Sequence, residues 1–234
     1  SPSEPSDSRT AREELKASGD LKRALQTFPK RLKFERAILE YLLNHPEDYI
    51  GALRRLPLGL RRLFLEAYQS YLFNKTLSRR IELGIPLNRC EPGDCVVPLS
   101  EGVPSHRYRR AQKNNLQALN EWLAEAKSRI AIPLIGYQSP PSKGVQADVE
   151  KHILTEEGVS RRNFYVGAME EVSTGGGLRT ATALIRNLST NISLDETDPR
   201  RAKTLVKFQL PRGSYATALM REIIKPPDLI AAGF

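Results

Sequence analysis

Apolar residues recur at helical spacing through the first third of the chain. Leu32, Phe34, Ile38, Leu39, Leu42 and Leu43 predict a helix over about 31–44 that stops at His45-Pro46. Ahead of it, Ser1–Ser8 has no apolar pattern and reads as a flexible end. Thr10 is placed to cap a short helix closing at Ser18-Gly19, and Asp20 to cap another that Pro29 breaks. A short helix near 47–55 and an interruption at Pro57–Gly59 lead to the longest helix candidate, Leu60–Leu83. Leu60, Leu63, Phe64, Ala67 and Tyr71 make one apolar stripe and Leu65, Leu72 and Phe73 lie away from it, which predicts a helix buried on more than one face. Gln69, Ser70 and Asn74 on that helix then need partners inside, because an unmet buried polar group costs about 1–3 kcal/mol.

After Gly84 the texture changes. Prolines and glycines punctuate short apolar runs such as Cys95-Val96-Val97, which reads as a strand. Gln112–Lys127 is an amphipathic helix with Trp122 inward, Arg129–Ile135 a strand, and Val145–Glu157 a helix with Val149, His152 and Ile153 on one side. Three glycines in Val172–Arg179 either bring backbone amides up to a phosphate or form a flexible loop, and no Gly-Lys-Ser/Thr follows to make a Walker sequence. Arg179–Arg186 reads as a strand, Asn187–Leu194 as extended, Asp195–Pro199 as a turn, and Thr204–Leu210 as the final strand. Pro211 and Gly213 stop that strand, Ser214 is placed to cap a helix, and Ala218, Leu219, Ile223 and Ile224 form its apolar positions. This strand–turn–helix corner projects Arg212 and Tyr215 beside helix-start amides that favour anions. The elements together predict an α/β, or α+β, protein.

Composition narrows the class. The 234 residues are 40% hydrophobic, enough for a folded core, and no apolar run approaches a membrane span. With no secretory leader and only Cys90 and Cys95, the expectation is a soluble, cytoplasmic protein without a disulfide framework. Cys90, Cys95 and His106 fall short of the four ligands of a structural zinc site, so no metal is expected. A net charge of +9 suggests a polyanionic partner, nucleic acid first. Between Gly51 and Arg80 seven basic residues face a single acid, Glu66. Between Pro104 and Lys113 lie His106, Arg107, Arg109, Arg110 and Lys113 with no acid.

Two stretches carry a family likeness. Phe208-Gln209-Leu210-Pro211-Arg212-Gly213-Ser214-Tyr215 through Glu222, and Ala67-Tyr68-Gln69-Ser70-Tyr71-Leu72-Phe73-Asn74, resemble in this order the C-terminal end of the TruD family of tRNA pseudouridine synthases, in its archaeal and eukaryotic form. Weaker matches lie at Gly19-Asp20, Phe28–Arg31, Glu35-Arg36, Asn115-Leu116, Leu119-Asn120 and Glu156–Val159, so the likeness runs from about residue 19 to 225.

The resemblance implies that a uridine in tRNA, U13 in the family, is isomerised to pseudouridine without metal or organic cofactor. Its motif implies Tyr215 as the ring stacked on the target base. Arg212, Gly213, Ser214, Arg221 and Glu222 would shape or charge the pocket, and Arg179, Arg107, Arg109 and Arg110 would meet RNA. Arg221 and Glu222 equally suit a helix-surface pair. Family members place the nucleophilic aspartate in an early Gly-x-Lys-Asp segment, followed by Asn-Tyr-Phe-Gly-x-Gln-Arg-Phe-Gly. Neither occurs here, and Asp7, Asp20, Asp48, Asp94, Asp148, Asp195, Asp198 and Asp228 all lack that context. The expectation is therefore a fragment, inactive alone, whose partner is the missing N-terminal half of the same protein. It would comprise a flexible end (1–9), a helical segment packing on the catalytic domain (10–83), an inserted α/β domain (84–190), and the end of the catalytic domain's mostly antiparallel sheet (191–234). The alternatives are a non-catalytic RNA-binding module and a protein-interaction scaffold.

Overall fold

Local caps decide where the first helices begin and end. The computed structural model describes residues 4–211 and 213–233. Helix α1 (Ser6–Ser18) ends on Gly19, whose φ of 66° is the left-handed conformation that glycine adopts without strain. It begins before Thr10, with Asp7 in its first turn, so residues 6–9 are helical instead of part of a flexible end. Asp20 caps α2 (Leu21–Thr27) by accepting the Arg23 amide at 2.9 Å, and Pro29 keeps the helix from continuing. Next come α3 (Lys33–Asn44) and α4 (Tyr49–Arg54), the latter capped by Asp48 accepting from the Gly51 amide at 2.8 Å. Helix α5 spans Leu58–Glu82.

The chain after α5 supplies the strands and the remaining helices: β1 (Cys95–Ser100), β2 (Val103–Pro104), β3 (Arg109–Arg110), α6 (Leu116–Ala124), β4 (Ser128–Leu134) and α7 (Gly144–Glu156). Two 3₁₀ turns at Arg161–Phe164 and Gly167–Val172 precede β5 (Gly177–Thr180), β6 (Arg186–Leu194), β7 (Ala202–Gln209) and α8 (Ala216–Ile224). Antiparallel ladders place Val96 opposite both Arg109 of β3 and Ile130 of β4, while Leu99 faces Pro104 across the β1–β2 hairpin. β5 pairs with the other edge of β4, and β6 and β7 form a separate two-stranded sheet. The strand expected over Arg179–Arg186 is thus split, with residues 181–185 irregular between β5 and β6.

The chain divides into two compact units. One holds Ser1–Lys75, Leu134–Pro140 and Ile153–Gly177; the other holds Thr76–Pro133, Pro141–His152 and Leu178–Phe234. In the first, Ala11, Ala24, Phe28 and Leu39 form one buried cluster, and Leu72, Ile135, Ile153 and Phe164 form another. In the second, Val96, Ala111, Leu119, Leu123 and Ile130 pack together with Trp122 half-buried at their edge.

Two amphipathic patterns are not buried as expected. On α5 the buried positions are Gln69, Leu72, Phe73, Thr76 and Arg80, whereas Leu63, Phe64, Ala67 and Tyr71 are exposed, Phe64 by 53%. Along α8, Ala218, Ile223 and Ile224 are exposed as well. No helix among the described residues is long and apolar enough to cross a membrane.

Candidate functional site

The corner after β7 is a tight turn. The Ser214 amide donates to the Pro211 carbonyl at 3.1 Å, and Gly213 takes a φ of 86°, open space surrounding the position where a side chain would start. α8 starts one residue later than the Ser214 cap would place it. Tyr215 is the N-cap residue, its carbonyl accepting from the Ala218 amide at 3.1 Å, and among the described residues no side chain caps the helix. The missing cap leaves helix-start amides without a side-chain acceptor. The Tyr215 ring is 63% exposed. Further along, Arg221 is exposed, and Glu222 pairs with Lys225, which holds its carboxyl below the usual range. Glu222 thus sits in a helix-surface pair, though with Lys225 instead of Arg221. Arg212 lies outside the described residues.

Of the two basic runs, the fold pairs most of the first with acids. Arg54 and Arg61 converge on Glu171 at 3.3 and 2.6 Å, and Arg62 donates to the Glu171 carbonyl at 2.9 Å. The Glu171 carboxyl is pulled down to about 2, first by its own backbone amide and then by Arg61. Lys75 donates to Glu156 at 2.7 Å and to Glu157 at 2.6 Å, Arg55 lies over the Tyr41 ring, and Arg79 pairs with Glu82. Arg80 is buried completely and reaches both carboxylate oxygens of Asp94 at 2.6 Å, the Gln146 side chain at 2.9 Å and the Pro86 carbonyl.

The second run keeps its charge outward. Arg107 and Arg109 are exposed, the Arg109 guanidinium lying 4.9 Å over the Trp122 ring. Arg110 is half-buried and donates to the carbonyls of Gly93 (3.0 Å) and Pro141 (2.9 Å). Arg179 is half-buried on β5 and engaged with its surroundings.

The glycine loop has a packing role. The Tyr137 and Gln138 amides donate to the carbonyls of Thr174 (3.2 Å) and Gly175 (3.0 Å), and a Cβ on Gly136 would run into the Gly176 backbone. The chains pass this closely only because side chains are missing. The Ala67–Asn74 and Glu156–Val159 stretches, far apart in sequence, also meet. Glu157 accepts from the hydroxyls of Tyr71 (3.0 Å) and Tyr68 (3.3 Å) as well as from Lys75. That network could have been anticipated from the i, i+3, i+7 spacing of Tyr68, Tyr71 and Lys75 on one helix face. Gln69 is buried as expected, donating to the Ile135 carbonyl at 2.7 Å and accepting from Thr174 at 3.2 Å, while Asn74 is exposed. Cys90 and Cys95 are buried free thiols, both pushed up by burial, and among the described residues no group of three His, Cys, Asp or Glu could hold a metal ion.

This mixed α/β architecture is that of a known RNA-modification fold. It superposes on a crystal structure from Methanosarcina mazei named "Putative tRNA pseudouridine synthase D (TruD)" with a TM-score of 0.88 and 37% identity, covering 95% of this chain and 51% of that one. The family model described as tRNA pseudouridine synthase D (TruD) matches residues 1–223, and the chain belongs to that family. A curated "probable tRNA pseudouridine synthase D" from Methanosarcina acetivorans is 38% identical over 230 residues, 97% of this chain and 52% of its own length. The corresponding protein of Pyrococcus furiosus is 35% identical over 216 residues, 92% of this chain and 51% of its own. The chain therefore spans about half the length of the curated archaeal relatives it matches.

Proposed function

We propose that this chain is the C-terminal portion of an enzyme that isomerises a uridine of tRNA, U13, to pseudouridine. The family match across residues 1–223, at about half the length of the relatives, carries this reading. Isomerisation breaks the bond from the sugar to N1 of uracil, turns the base and rejoins it through carbon. A segment outside this chain supplies the aspartate that attacks. Tyr215 stacks on the extruded base, which costs a few kcal/mol to unstack, and its exposed ring at the β7–α8 turn suits that role. Arg212, Gly213, Ser214 and Arg221 line or charge the pocket. Arg179, Arg107 and Arg109 meet phosphates. No metal or organic cofactor takes part, and the enzyme works in the cytoplasm.

The same reading treats residues 10–83 and 191–234 as catalytic-domain pieces around an inserted domain over 84–190. The uncovered Leu63, Phe64 and Tyr71 of α5 and the exposed Ile192 and Leu194 of β6 suit faces that the rest of the enzyme would cover. A non-catalytic RNA-binding module is the second reading, favoured by the exposed guanidinium of Arg107, which pairs with no carboxylate among the described residues.

The test is conversion of uridine in a tRNA transcript. This chain alone is expected to form no pseudouridine, and a longer polypeptide carrying an upstream aspartate segment is expected to form it at U13. In that longer protein Tyr215→Ala abolishes conversion and Tyr215→Phe retains it, because only the ring is needed. Conversion by the chain alone would remove the fragment reading. An inactive longer protein would leave only the RNA-binding module.

A further inference from the structure

The β6–β7 ribbon does not keep one register along its length. Arg186 lies opposite Gln209, and the next pair is Ser189 opposite Lys207, so three steps along β6 match two along β7. Asn187 and Leu188 therefore face Phe208 alone, the two-against-one count of a β-bulge. Asn187 takes a φ of 51°, a left-handed conformation that asparagine tolerates and a β-branched residue resists. Its side-chain amide donates to the Gln209 side-chain oxygen at 2.9 Å.

The extra residue decides which way Arg186 points. Beyond the bulge, the pairing puts Thr190, Ile192 and Leu194 on the side of Val206. Continued back without a bulge, that register would set Arg186 opposite Leu210, on the side of Val206 and Phe208, because a slip of one residue exchanges the faces. With the bulge, Arg186 lies opposite Gln209, on the side of Lys207. Its guanidinium there lies on the tip of the β1–β2 hairpin, where a Cβ on Gly102 would come within 2.6 Å of one of its nitrogens. The bulge also sits at the root of the ribbon. Residues 181–185 join β5 to β6 at this end, and the corner carrying Tyr215 leaves β7 at the same end.

We propose that this bulge positions the Tyr215 corner, with Asn187 as the positioning residue. The inference rests on the proposed role of Tyr215 as the ring that stacks on the extruded base. β7 runs from its last pair, at Gln209, through Pro211 into the turn, so the direction in which the corner leaves is set at Arg186–Gln209. A bulge bends its strand, sharpens the twist and ends regular pairing at that point. Arg186 on Gly102 anchors the root of a two-stranded ribbon that is otherwise marginal in water. A group that meets a reacting base must be held to about 0.5 Å, and an error of about 1 Å costs about 100-fold in rate. The Asn187–Gln209 bond is exposed and adds little, so the left-handed backbone carries the effect. Glycine should therefore serve at position 187 and valine should not.

Two measurements test this. Amide hydrogen exchange on the full chain reads whether the bulge holds the corner. Asn187→Val is expected to speed exchange at the Gln209 and Ser214 amides at least about tenfold while leaving β1 and β4 unchanged, and Asn187→Gly to stay within about twofold of the wild type. In the longer protein with an upstream aspartate segment, Asn187→Val is expected to lower kcat for pseudouridine formation at least about tenfold, with KM for tRNA changed less than about twofold. Asn187→Gly restores kcat. Deleting Leu188, which turns Arg186 to the other face, should cost more than Asn187→Val. Asn191→Thr, on the regular part of β6, should change neither exchange nor rate.

Four results would overturn the proposal: unchanged exchange at Gln209 and Ser214 in Asn187→Val, glycine as harmful as valine, a rise in KM in place of the fall in kcat, or Asn191→Thr as harmful as Asn187→Val. The last would mean that any weakening of the ribbon has the same effect. A longer wild-type protein that forms no pseudouridine would sink the enzyme reading by itself, and exchange alone would then decide whether the bulge holds the corner.

Discussion

Asp94→Ala removes the carboxylate that takes two nitrogens of Arg80 and leaves the guanidinium, which has no exposed surface, without a countercharge. Arg80 would retain only the Gln146 side-chain oxygen and the Pro86 carbonyl, and the Glu91 amide, now bonded to Asp94 at 2.9 Å, would lose its acceptor. Stranding one partner of a buried pair costs about 3–5 kcal/mol. At about 2–4 °C per kcal/mol for a chain of this size, the melting temperature should fall by about 6–20 °C. The double change Arg80→Met with Asp94→Leu removes both charges. It should therefore be more stable than Asp94→Ala by about 2 kcal/mol or more. The assay is thermal and urea unfolding followed by Trp122 emission, which reports on the unit that contains the pair. A loss below about 1 kcal/mol for Asp94→Ala, or a double variant less stable than the single, would refute the reasoning.

Glu171 titrates at about 2 instead of 4.5, so its contribution to stability is complete above the ordinary carboxylate value and is lost as pH falls from 4.5 towards 2. Glu171→Gln should flatten that acid limb of a stability–pH curve. Gly136→Ala would push a Cβ into the Gly176 backbone and should lower the urea midpoint by more than about 1 kcal/mol equivalent. Thr76 is buried with a hydroxyl that finds no partner among the described residues, so Thr76→Val should be neutral or raise stability by up to about 1 kcal/mol in the same titration.

Signals confined to a few residues could be read directly. Asp20 caps α2, Gly19 closes α1, and the strand expected over Thr204–Leu210 matches β7, since each depends on neighbours within one turn or one pleat. What depends on distant partners could not. Arg54 finds its acid 117 residues away, and Arg110 finds two carbonyl acceptors in other loops, so a run of basic residues did not reveal which of them were spoken for. Periodicity marked the stripe of α5 as one to be covered, but it carries no information about what covers it. At the turn, Ser214 fits the cap preference, yet its amide bonds to the Pro211 carbonyl and the helix takes Tyr215 as its N-cap, one residue later. The Tyr215 corner and the two stretches that build the tyrosine–glutamate network were legible as motifs, but the network itself, and whether each motif is site or scaffold, were not.

The β6–β7 ribbon has a practical consequence. Register puts Ile192, Leu194 and Val206 on one side and Lys203, Leu205 and Lys207 on the other, with no third strand along either border among the described residues. Two strands alone are marginal in water, and a bare greasy side with open borders is a template for copies of itself. Concentrated stocks of this polypeptide are therefore expected to clump from the ribbon outward, with the lysines of the opposite side as the brake. Ile192→Lys should keep such stocks clear.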